Sequence, residues 1–67
     1  MQVEVFAGEH GETLLFAGDF TAMPRIGETI SRDAGGYFEY YDVTDVWYRE
    51  DGQSGKFNAC VSVKLND

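Results

Sequence analysis

Apolar and polar residues alternate without a break over residues 56–65. Phe57, Ala59, Val61, Val63 and Leu65 take turns with Lys56, Asn58, Cys60, Ser62 and Lys64. A period of two marks a β-strand with one face buried and the other polar. The loop ahead of it, Glu50-Asp51-Gly52-Gln53-Ser54-Gly55, holds nothing that packs and two glycines that permit tight turning. Before that loop, six of the chain's ten aromatic residues crowd into residues 37–48. Rings and β-branched side chains pack well on a pleated, half-buried surface, so this density suits a long strand. The two segments are predicted to form an antiparallel hairpin.

The phase of the aromatic segment changes partway. Tyr41 and Val43 share one face, whereas Val46 and Tyr48 fall on the opposite phase. One extra residue near Thr44-Asp45 brings Val43, Val46 and Tyr48 to the same side, which is what a β-bulge does while bending its strand. Upstream, residues 2–7 alternate with Val3 and Val5 on one side and Glu4 on the other, and Phe6 breaks the polar face. Residues 8–11, Gly-Glu-His-Gly, form a turn. Residues 13–20 read as a second strand with Leu14, Phe16 and Phe20 on one phase, and Gly18 within it signals a kink or a close crossing. Pro24 ends that ladder and Gly27 permits a turn, before a short third strand over residues 28–32 carrying Ile30. Asp33-Ala34-Gly35-Gly36 then turns the chain into the aromatic strand. No window combines helical spacing with helix caps. Five short strands at this spacing predict a single all-β domain over residues 1–67, a small barrel or sandwich.

Pro24-Arg25-Ile26-Gly27-Glu28-Thr29-Ile30, then Gly36-Tyr37 and Tyr41-Asp42-Val43-Thr44-Asp45-Val46, carry a further pattern. It resembles small uncharacterised bacterial, phage and mobile-element proteins with a Pro-x-x-Gly-(Asp/Glu)-x-Ile turn. In those proteins a Tyr-x-Val-x-x-Val strand and a hairpin of alternating valines follow. The resemblance covers the last two-thirds of the chain and implies a five-stranded antiparallel SH3-like barrel. Its matching positions are a turn, a bulged strand and a closing strand, so it implies no reaction.

Length changes the picture next. A chain of about 60 residues buries only roughly 60% of its unfolded surface, and domains this small usually need an additional source of stability. Cys60 is the only cysteine, so no disulfide forms within the chain. Cys60 and His10 supply two zinc ligands where a structural site needs about four. Self-association is left as the expected supplement, with a homodimer as its simplest form. The start, Met1-Gln2-Val3-Glu4-Val5, shows no secretory pattern, and no stretch approaches a membrane span. A cytoplasmic protein without membrane contact is expected.

Twelve acids against five bases give a net charge of −7, which opposes direct binding to nucleic-acid phosphates. The acids are spread along the chain, as a solvated surface requires. An acidic DNA mimic or inhibitor that binds a basic partner is the sharper alternative.

The candidate chemistry is thin. His10 lies in a glycine-flanked turn beside Glu9, with no spacing that joins it to Cys60 or a serine. Asp42 and Asp45 are the closest carboxylate pair in the bulged strand, but so short a chain has little room for a water-excluding pocket. Neither these acids nor Glu50-Asp51-Gly52 follow a calcium-loop spacing. No catalytic residue, metal or cofactor is therefore expected. Cys60 points away from the valines, onto a face that is either open to water or covered by another subunit; because cysteines are usually buried, the covered face is expected. Rings among acids can also cage a cationic group, and Tyr37, Tyr40, Trp47 and Tyr48 with Glu39 or Asp45 are the residues for it. The leading expectation is a non-catalytic protein-interaction module whose contact surface comprises Tyr37, Tyr40, Trp47, Tyr48 and Arg49.

Overall fold

The valines of the last strand do become the centre of the molecule. The computed structural model describes residues 1–8 and 10–66. They form five strands, β1 (Gln2–Ala7), β2 (Thr13–Asp19), β3 (Thr29–Asp33), β4 (Phe38–Glu50) and β5 (Phe57–Leu65), and no helix. All five belong to one sheet in the order β2-β1-β5-β4-β3. β5 is the middle strand, and its Ala59, Val61 and Val63 are buried with Val3 and Val5 of β1 and with Tyr41 and Val43 of β4. Full burial of a valine side chain contributes about 1.5–3 kcal/mol, and Val3, Val5 and Val61 are completely inaccessible.

Two bulges curl this sheet into a half-barrel. In β4 the register against β5 slips between Val43 and Asp45: Val43 pairs with Val63, Asp45 with Ser62, and Thr44 is the extra residue. Val43, Val46 and Tyr48 consequently share the concave face, as their sequence phase requires. A second bulge lies in the β1–β2 pair. Phe16 pairs with Val5 and Leu14 with Phe6, so Leu15 is the additional residue. This corrects the expected phase of β2. Leu14 and Phe16 lie on opposite faces, while Leu15 and Phe16 both pack against the core.

The expected all-antiparallel barrel is also corrected, because β1 and β5 are paired in parallel, Val3 beside Ala59 through Ala7 beside Val63. Hairpins β1–β2, β3–β4 and β4–β5 are antiparallel as their short turns demand. No short turn links the first strand to the last. In this parallel arrangement Val3 and Val5 are fully buried.

Among the described residues no backbone pairing joins β2 to β3, so the sheet does not close on itself. Side chains and a loop cover the gap. The Arg32 guanidinium sits 4.3 Å from the centre of the Phe16 ring, and Phe16 meets Tyr41 at 6.4 Å between centroids. The segment after β2 crosses the concave side, with Pro24 buried and Phe20 and Met23 packed on the core. It is anchored at both ends. The Phe20 N–H donates to the Met1 carbonyl at 2.6 Å, and the Gly27 N–H donates to the Val43 carbonyl at 2.9 Å.

Candidate interaction surfaces

The convex side of the sheet carries a second, smaller cluster. Beyond the β4 bulge, Trp47 lies opposite Cys60, which on its other side lies beside Glu4. Phe6 breaks the polar face of β1 because it packs on Trp47, with ring centroids 5.5 Å apart. The turn between β1 and β2 folds back over this pair. Gly11, at φ +66°, lies so close that a Cβ there would stand 2.9 Å from Trp47 Cη2 and 2.7 Å from Ser62 Oγ. Trp47 is thus held between Phe6 and the turn. Arg49, one step along the same face, donates from Nη2 to Glu4 Oε1, and that carboxylate raises the pKa of the guanidinium further.

Cys60 lies beneath these groups, wholly buried, its Sγ 3.6 Å from Glu4 Oε1. Burial pushes the thiol's pKa up. The thiol is covered as expected, but the expected source of the cover is corrected: side chains of the same chain bury it, not a second subunit. A buried thiol held in its neutral form is a poor nucleophile.

Of the other chemical candidates, His10 and Asp45 come to one depression while Asp42 stands apart. Asp42 accepts hydrogen bonds at Oδ1 from Thr29 Oγ1 and Asn66 Nδ2, each 3.1 Å away. Asp45, past the bulge, lines a shallow depression of about 420 Å³ with His10, Trp47 and Ser62. The His10 N–H donates to Glu12 at 3.0 Å, and Glu9 lies outside the described residues. Among the described residues no cluster of three or more His, Cys, Asp or Glu side chains could hold a metal ion. Among the described residues no helix is long and apolar enough to cross a membrane.

The five residues expected to form one contact surface are distributed over both faces and along the whole length of β4. Trp47 and Arg49 lie on the convex face and are engaged by Phe6 and Glu4. Tyr48 belongs to the concave face opposite Ala59, near the tip of the β4–β5 hairpin, and is 59% exposed. Phe57 follows it on that face, 66% exposed. Tyr40 lies opposite Ser31 at the far end of β4, 50% exposed, and Tyr37 stands beyond it in the turn, 62% exposed. The four rings named for a cation cage do not share a face.

Sequence reasoning missed the open side of the half-barrel. A depression of about 900 Å³ runs between the crossing segment and β3, lined by Phe20, Met23, Pro24 and Arg25 on one side and Glu28 to Ser31 on the other. Arg25 and Glu28 form an ion pair at 3.1 Å on its rim, and the Arg25 N–H donates to the same carboxylate, which lowers the Glu28 pKa. The short spacing of Pro24 and Gly27 before β3 was the available signal, since it places a loop next to an edge strand.

Comparison with protein-family models, with curated proteins and with solved structures returns no match.

Proposed function

We propose that this chain is a non-catalytic interaction module of the SH3-like barrel type that works by associating with another copy of itself in the cytoplasm. The reading rests on one observation, the incompleteness of the half-barrel. The chain exposes 4703 Å² of surface, against about 4,250 Å² for a compact monomer of its mass. Its radius of gyration is 12.0 Å, where a compact chain of this length has about 11 Å. Tyr37, Phe38, Tyr40, Tyr48 and Phe57 are all more than a third exposed, while the fully buried side chains are small. A monomer with so thin a core and so much outward apolar surface gains stability by covering part of it.

A neutral thiol in the core, an Asp42 carboxylate engaged by Thr29 and Asn66, and the open, shallow form of the depressions described support a binding role over a reaction. Sedimentation equilibrium over a wide concentration range tests the proposal. A mass twice that of the 67-residue chain is expected; a strict monomer at millimolar concentration would sink it.

A further inference from the structure

The sheet has two edges without backbone pairing, β2 and β3, and they differ. The outer edge of β2 is interrupted by the bulge at Leu15, contains Gly18 and ends on Asp19, features that spoil strand addition. The outer edge of β3 has no bulge, proline or glycine over Thr29–Asp33. Its pattern of backbone bonds is fixed at both ends. Ala34 donates to Tyr37 at 2.7 Å and Val43 donates to Glu28 at 2.9 Å, so Glu28, Ile30, Arg32 and Ala34 are the residues bonded to β4. Thr29, Ser31 and Asp33 consequently point their N–H and C=O groups outward, beside the depression lined by Phe20 and Met23.

We infer that β3 pairs antiparallel with β3 of a second copy, about a two-fold axis at Ile30, giving a continuous ten-stranded sheet. This rests on the self-association proposed above and assigns its surface and register. The sequence around Ile30 is complementary to itself in that register. Ile30 faces Ile30 of the partner subunit over the apolar part of the depression. Thr29 faces Ser31 of the partner subunit, a hydroxyl pair, with their outward backbone groups matched for hydrogen bonding. Arg32, which lies over Phe16 of its own chain, faces Glu28 of the partner subunit, a carboxylate that already holds Arg25, and the two-fold repeats that contact. Asp33 faces Gly27 of the partner subunit, so this register sets no carboxylate opposite another. Free edges of this kind are standard acceptors for strand addition.

Proline at position 31 provides the test, because the Ser31 N–H takes no part in the β3–β4 ladder. Ser31→Pro is expected to keep the circular dichroism of the wild type and to weaken dimerisation at least about tenfold. Arg32→Glu is expected to weaken it as well, and adding Glu28→Arg to restore it. Ile30→Cys is expected to give a disulfide-linked dimer on mild oxidation, since non-bonded antiparallel pairs bring Cα atoms to about 4.5 Å. The wild type serves as the control, its one thiol being buried. A dimeric wild type whose Ser31→Pro and Arg32→Glu forms dimerise equally well, with no Ile30→Cys crosslink, overturns this interface and leaves self-association standing. A monomeric wild type, or one that binds only an unrelated peptide, overturns both.

Discussion

A methyl group at Gly11 would press against Ser62 Oγ and Trp47 Cη2 while the backbone holds φ at +66°. Alanine therefore meets two penalties, the left-handed conformation and a contact that Trp47 and Ser62 must shift to relieve. Gly36, at φ +106°, has open space around it and meets only the first. Gly11→Ala is expected to cost about 2–3 kcal/mol, and Gly36→Ala about 1 kcal/mol, in urea unfolding followed by tryptophan fluorescence. Gly11→Ala should also red-shift Trp47 emission in the native state, because the turn can no longer lie on the ring. Equal costs and an unchanged spectrum would show that the turn does not clamp Trp47. Trp47 thus has a structural use that its place among the six rings of residues 37–48 gave no means of reading, since the residue that covers it is a glycine thirty-six positions away.

At the scale of elements, the bulges decide which side chains meet. The β4 bulge was legible because Val43 and Val46 cannot share a face without an extra residue between them. The β2 bulge was not, because Leu14, Leu15 and Phe16 are all apolar and any of them could have faced the core. Direction was illegible for a different reason: alternation says which side chains are buried, and says nothing of which way a neighbouring strand runs. Deleting Thr44 offers a direct check on the role of the bulge. It is expected to turn Val46 and Tyr48 to the convex face and Trp47 and Arg49 toward the core, abolishing cooperative unfolding. Retention of a native-like spectrum and a sharp transition would show that the bulge is dispensable.

The molecule as a whole is bracketed by ionisation at both ends of the pH scale. Glu12, Glu28, Asp33 and Asp51 all have lowered pKa values, each because backbone N–H groups donate to the carboxylate. Their contribution is complete above the ordinary carboxylate range and is lost as pH falls below about 4. Tyr41 and Cys60 have raised values, chiefly through burial, so the core favours their neutral forms. That contribution is complete below the ordinary thiol and phenol values, about 8.5 and about 10, and is lost as pH rises beyond them. Melting temperatures measured across pH should form a plateau with an acid and an alkaline flank. Tyr41→Phe should move the alkaline flank upward, and an unmoved flank would remove Tyr41 from this account.

Pairing the first strand with the last in parallel also fixes where the two ends of the chain leave the sheet. Val3 lies beside Ala59 and Ala7 beside Val63, so Met1 projects from one end of the strands and Asn66 from the other. Joining them head to tail calls for a linker that runs back along roughly eight strand residues, about 25 Å. Tandem copies fused through a short linker would string out in a line, and circular permutation would require that long return path. Cargo attached to the two termini would be carried on opposite sides of the molecule.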